Sequence, residues 1–178
     1  MKLDMKMWII GLGLGLCALG WADEQMVMPV RVDSKEFQQM KQLVGTWKGT
    51  KIGGAKDEPD TVEVDYKLTA GGSTLQETLV PGTPHEMVTM YHDESGKLTM
   101  THYCMMGNTP HMAVSKASAK EIQFNFVPGA GIDPSKDAHM DTLILQFPDG
   151  DHLVQKWGCH QPGKPDNNAV FNLTRVKA

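Results

Sequence analysis

Residues 61–70, TVEVDYKLTA, decide the fold. Val62, Val64, Tyr66 and Leu68 alternate with Glu63, Asp65 and Lys67, a period of two that sends one set of side chains to a core and the other to water. The stretch predicts a strand with one buried and one wet face, the form typical of antiparallel sheets.

Working outward, nine further segments alternate in the same way: 45–52, 74–80, 85–92, 97–104, 111–117, 121–127, 140–147, 152–159 and 169–176. Ten antiparallel strands reach the size at which an open sheet curls, so the chain is expected to be all-β, a closed up-and-down barrel. The connections agree. Gly71-Gly72, Asp93 to Gly96, Ser118 to Lys120 and Asp149-Gly150 are short, whereas Gly53 to Asp60, Pro81 to Pro84, Met105 to Pro110, Pro128 to His139 and His160 to Asn168 are longer. Alternate connections of such a barrel lie at opposite ends, so one end carries tight turns and the other the long loops of a mouth.

The helical period occurs once after the N-terminal stretch, in Phe37, Met40 and Leu43 or Val44, with Ser34 as N-cap. Residues 1–22 read as a signal peptide: Lys2 and Lys6 precede the apolar run Trp8 to Leu19, and Gly20-Trp21-Ala22 offers a small-residue cleavage site. The run is too short to span a bilayer, which needs about 20 residues, and Leu16 before Cys17 argues against a lipoprotein. The expected organisation is a signal peptide over 1–22, a leader segment over 23–36 and one barrel domain over 37–178, exported to the periplasm or beyond.

Composition is ordinary for a globular protein, with 40% hydrophobic and 21% charged residues in 178. Cleavage after Ala22 would remove two lysines and one aspartate and take the net charge from -4 to about -5. Lysines and arginines are scattered singly, so the sequence offers no phosphate-binding surface and nucleic acid is not an expected partner.

The segment Leu43-Val44-Gly45-Thr46-Trp47-Lys48-Gly49, a short helix running into Gly-x-Trp, resembles the opening of calycin-type barrels: lipocalins, fatty-acid-binding proteins and nitrobindin-like haem barrels. The resemblance implies that Trp47 closes the barrel floor beneath a basic residue of the last strand, a place Arg175 matches, with a cation-π contact between them. Met90-Tyr91-His92, Leu98, Thr101-His102-Tyr103-Cys104 and Gly107-Asn108 are also similar to a family of exported bacterial barrels without an assigned activity. A haem barrel would need an axial histidine near the chain end. Residues 169–176 have none, with His152 and His160 the nearest, and the cofactor stays unknown.

Residues 87–112 concentrate His92, His102, Cys104, Met105, Met106, His111 and Met112. Asp93-Glu94-Ser95-Gly96 has the pattern of a type I turn with Gly at positive φ, giving a three-residue hairpin loop. In that register His92 faces Leu98, Met90 faces Met100, Val88 faces His102 and Glu86 faces Cys104. The inward face is then Val88, Met90, Leu98 and Met100, with Glu86, His102 and Cys104 toward the mouth.

Three readings follow. The first is a small, mostly apolar ligand held by Glu86, Val88, Met90, Met100, His102, Cys104, Met112, Phe124, Phe126 and Trp157. The second is a soft metal, copper or zinc, on His102 and Cys104. The third is a barrel whose interior is filled, with His102 bonded to Glu86. Cys104 and Cys159 fall on the fifth and ninth strands, across the barrel, so separate thiols are expected rather than a disulfide, which needs Cα atoms within about 7 Å. Catalytic signatures are absent: the sequence has no Gly-x-Ser-x-Gly, His-Glu-x-x-His, P-loop or dinucleotide fingerprint. A binding role, rather than an enzyme, is the expectation.

Overall fold

The computed structural model describes residues 32–54 and 60–177. A helix, α1 (Lys35–Lys41), is followed by ten strands: β1 (Gly45–Gly53), β2 (Thr61–Thr69), β3 (Thr74–Leu79), β4 (Met87–Glu94), β5 (Lys97–Tyr103), β6 (His111–Ser118), β7 (Glu121–Phe126), β8 (His139–Gln146), β9 (His152–His160) and β10 (Asn167–Arg175). Each strand pairs antiparallel with its sequence neighbours and β1 closes on β10. The fold is a closed ten-stranded up-and-down barrel. Residues 1–31, which include the expected signal peptide, Cys17 and most of the leader, lie outside the described residues.

The helix begins directly after the expected Ser34 cap. Ser34 Oγ accepts from Phe37 N at 3.0 Å, and the same hydroxyl donates to Asp93 Oδ1 at 2.7 Å. This cap starts the helix at Lys35, and Phe37 and Met40 are driven into the core. Gln39 Nε2 donates to Ala119 O, and Arg175 donates to Gln42 O, Val44 O and Gly150 O. Asp93, Ala119 and Gly150 sit at or beside three of the tight turns, so α1 closes the short-turn end. The guanidinium of Arg175 lies over the Trp47 ring, 4.2 Å from its centre, and Trp47 Nε1 donates to Leu43 O.

One register departs from the sequence reading. Opposed residues of β4 and β5 are Val88 and Tyr103, Thr89 and His102, Met90 and Thr101, Tyr91 and Met100, Asp93 and Leu98. The hairpin loop is two residues, Ser95 at φ 52° and Gly96 at φ 79°, the left-handed pair of a type I′ turn. Asp93 is not the start of the turn. It is an inward strand residue that takes both the amide and the hydroxyl of Ser34 at 2.7 Å, and this contact helps set the register. A shift of one residue exchanges the faces of a strand. Thr89 and Tyr91 of β4 are therefore buried inside, and Val88 and Met90, expected inside, are half-buried on the outer face. Glu86 lies before the strand, exposed, and accepts from Gly82 N. Its expected pairing with Cys104 and His102 is not formed. On β5 the expected face is unchanged, with Leu98, Met100 and His102 inside.

Among the described residues no helix is long and apolar enough to cross a membrane.

Candidate functional site

The interior is built in layers. Near the floor, Leu75, Leu98, Met100, Met112, Phe124, Leu143 and Leu145 are buried with the helix side chains Phe37 and Met40. Met100, Met112 and Phe124, expected as ligand contacts, belong to this apolar core, and Tyr91 packs on Phe124 at 5.7 Å between ring centres. Phe126 stacks instead on the buried ring of His139 at 4.3 Å.

Above that core a polar layer crosses the barrel. Glu77 on β3 is fully buried. Its Oε1 accepts from Tyr66 Oη at 2.9 Å and from Gln155 Nε2 at 2.6 Å, and its Oε2 accepts from Tyr91 Oη at 2.6 Å. Gln155 Nε2 also donates to Tyr66 Oη, and Gln155 Oε1 accepts from Trp157 Nε1 at 3.0 Å. Burial pushes the Glu77 carboxyl up, while the donors Tyr91, Tyr66, Gln155 and Thr89 pull the other way. Burial next to Glu77 raises both tyrosine hydroxyls well above their usual range. These groups are satisfied, as buried polar groups generally are.

His102 stands at the upper edge of this layer, 1% exposed, with Nδ1 hydrogen-bonded to Thr89 Oγ1 at 2.9 Å and its ring 4.8 Å from that of Trp157. Its Nε2 is buried with no hydrogen-bond partner. Burial lowers its pKa to about 4, so the ring is neutral at ordinary pH.

A cavity of about 290 Å³ opens above His102 at the long-loop end. His102, Trp157, Leu79, Met87, Phe171, Met140, Cys104, Cys159, Met105 and Met106 line it, together with the neutral polar side chains of Gln161 and Asn167. No charged side chain lines it among the described residues. The buried Lys51 belongs to a separate cavity of about 20 Å³ that shares Leu79, Met87 and Phe171 with the larger one.

Of the residues expected from sequence, the cavity brings together His102, Cys104 and Trp157. Glu86, Val88, Met90, Met100, Met112 and Phe124 do not line it. Cys104 and Cys159 share its wall as thiols, not joined by a disulfide, and burial raises the Cys159 thiol. His111, on the outer side, faces Glu94 and Thr101.

The fold has a solved counterpart. The crystal structure of Rv2717c from M. tuberculosis superposes with a TM-score of 0.52 at 15% identity, covering 82% of this chain and all of that one. At that identity the likeness concerns the barrel alone. Neither a protein-family model nor a curated protein sequence matches the chain.

Sequence reasoning missed Glu77, Thr89 and Gln155. Glu77 and Gln155 alternate correctly with the buried Leu75, Leu79, Leu153 and Trp157, and a polar residue in phase with a buried apolar set was the available signal. Thr89 was hidden by the hairpin register.

The residues present do not fit a haem. The axial histidine that a haem barrel would carry near the chain end has no counterpart, since β10 holds none.

Proposed function

We propose that this chain is an exported, calycin-like barrel related to the exported bacterial barrels it resembles in sequence, and that it holds a small, mostly apolar ligand in the pocket at its mouth. The observation that carries the reading is a preformed, uncharged cavity with one unsatisfied polar atom at its base, His102 Nε2. Apolar walls with a few placed polar groups are what small-molecule sites are made of. Export rests on residues 1–22 alone. Catalysis is not assigned to the pocket, since a thiol raised by burial, as Cys159 is, is a poor nucleophile.

The soft-metal alternative keeps one observation in its favour. His102, Cys104, Cys159 and the thioethers of Met87, Met105 and Met106 surround one cavity, a donor set suited to copper. Among the described residues, however, no three His, Cys, Asp or Glu side chains are grouped to hold a metal, so the organic ligand is the preferred reading.

Native mass spectrometry of the protein purified from its own host tests both. A co-purifying organic mass is expected. Copper or zinc would favour the metal site, and bare protein that rejects every added hydrophobic probe would end the binding proposal. The same spectrum reads the start of the mature chain, expected at Asp23.

A further inference from the structure

We infer that the ligand is a neutral molecule that presents a hydrogen-bond donor, a hydroxyl or N–H on an apolar body, to His102 Nε2. This rests on the small-molecule reading above and specifies its chemistry.

Glu77, Thr89 and His102 stand directly opposite one another on β3, β4 and β5, so their inward side chains form a row across three strands. The groups bonded to Glu77 all donate to it, Tyr66, Tyr91 and Gln155, and Thr89 is its direct cross-strand neighbour on the same buried face, placed so that its hydroxyl favours the carboxylate. A threonine hydroxyl has one proton. With that proton directed to Glu77, Thr89 Oγ1 is an acceptor toward the imidazole, and His102 Nδ1 carries the ring hydrogen. Nε2 is then left with a lone pair.

Nδ1 is turned to Thr89, and Nε2 is the buried ring nitrogen without a partner in a side chain that lines the cavity. A buried acceptor without a partner is destabilising, and a donor reaching it would recover that loss. The ring resists protonation down to about pH 4, so it does not become a donor for an anion under ordinary conditions. The indole N–H of Trp157 is also unavailable, being given to Gln155. At the base of this pocket a carboxylate would meet a lone pair, and of the described lining residues only the neutral amides of Gln161 and Asn167 could donate to it, with no lysine or arginine to balance its charge. The site therefore selects an alcohol, a phenol or an N–H heterocycle over a fatty acid.

Three planar probes that differ in one substituent test this on the unmodified protein: 2-naphthol, 2-methoxynaphthalene and 2-naphthoate, titrated by calorimetry at pH 7. The naphthol is expected to bind about tenfold more tightly than its methyl ether, the ratio given by one net hydrogen bond, with the naphthoate weakest. In His102→Phe the preference for naphthol over ether should collapse to about one while ether binding persists. An ether or naphthoate that binds wild type as well as the naphthol does overturns the donor inference and leaves the pocket reading standing. Failure of all three probes to bind overturns both. Nitrogen-15 NMR of wild-type His102 gives a readout that needs no variant: Nδ1 should be protonated and Nε2 not, and the opposite tautomer would refute the inference.

Discussion

At His102, burial and one hydrogen bond set the chemistry. Its pKa falls from the ordinary 6.5 to about 4 because burial disfavours the imidazolium. Between those values the unfolded chain takes up a proton that the folded chain refuses. The residue is therefore neutral in its effect above pH 6.5 and destabilises the fold progressively as pH falls toward 4. At about 1.4 kcal/mol per unit, the full penalty is about 3 kcal/mol. Glu77 acts in the opposite sense, since its raised carboxyl accepts a proton more readily when folded than when unfolded. The difference between wild type and His102→Phe isolates the histidine. Urea midpoints at pH 7.5 and pH 4.5 should drop less in the variant than in wild type, and equal drops would remove His102 as the source of the acid sensitivity.

Two elements define the barrel and each has a residue that tests it. In the β4–β5 hairpin, Ser95 sits at φ 52° ahead of Gly96, a conformation that asparagine adopts more readily than serine. Ser95→Asn should stabilise the fold by about 0.5 kcal/mol, seen as a small rise in Tm. In the three-residue loop that the sequence pattern predicts, position 95 needs no left-handed backbone, and the substitution would bring no gain. At the β1–β10 seam, a methyl group added to Gly49 would collide with the carbonyl oxygen of Asn172, a backbone atom that moves only if the strands part. Gly49→Ala should cost about 3 kcal/mol or more and lower the denaturant midpoint sharply, whereas Gly82→Ala, with open space around it, probes only the left-handed backbone and should cost about 1 kcal/mol. The strands themselves were legible, because period-two alternation is imposed by the pleat, and it is interrupted only locally, by the register shifts at Val114/Lys116 in β6 and Met140/Thr142 in β8. The register was not. Val88 and Met90 look more like core than Thr89 and Tyr91, and only the long-range contact from Ser34 to Asp93 and the polar row from Glu77 through Thr89 to His102 favour the other face.

Across the whole molecule, one barrel is divided by its polar layer. Below Glu77 and Gln155 the interior is packed with apolar side chains up to the helix and the Trp47–Arg175 contact, and above them the mouth stays open. Sequence reasoning weighed an open pocket against a filled barrel as alternatives. The chain does both, which no local pattern encodes because the layer joins Tyr66 and Glu77 to Gln155 across 89 and 78 residues of sequence. For the same reason the expected site residues split: His102, Cys104 and Trp157 line the cavity, whereas Met100, Met112 and Phe124 are packed in the apolar core. The central claim is that the upper space receives a ligand. Ala169 lines that space, and Ala169→Trp would fill it; an unchanged near-UV circular dichroism spectrum serves as the check that the fold is kept. The decisive measurement is a fluorescence titration of both proteins with the neutral apolar dye N-phenyl-1-naphthylamine. Saturable binding to wild type that is lost in Ala169→Trp is the predicted result, and a wild type that fails to bind, or a variant that binds equally well, would contradict the account.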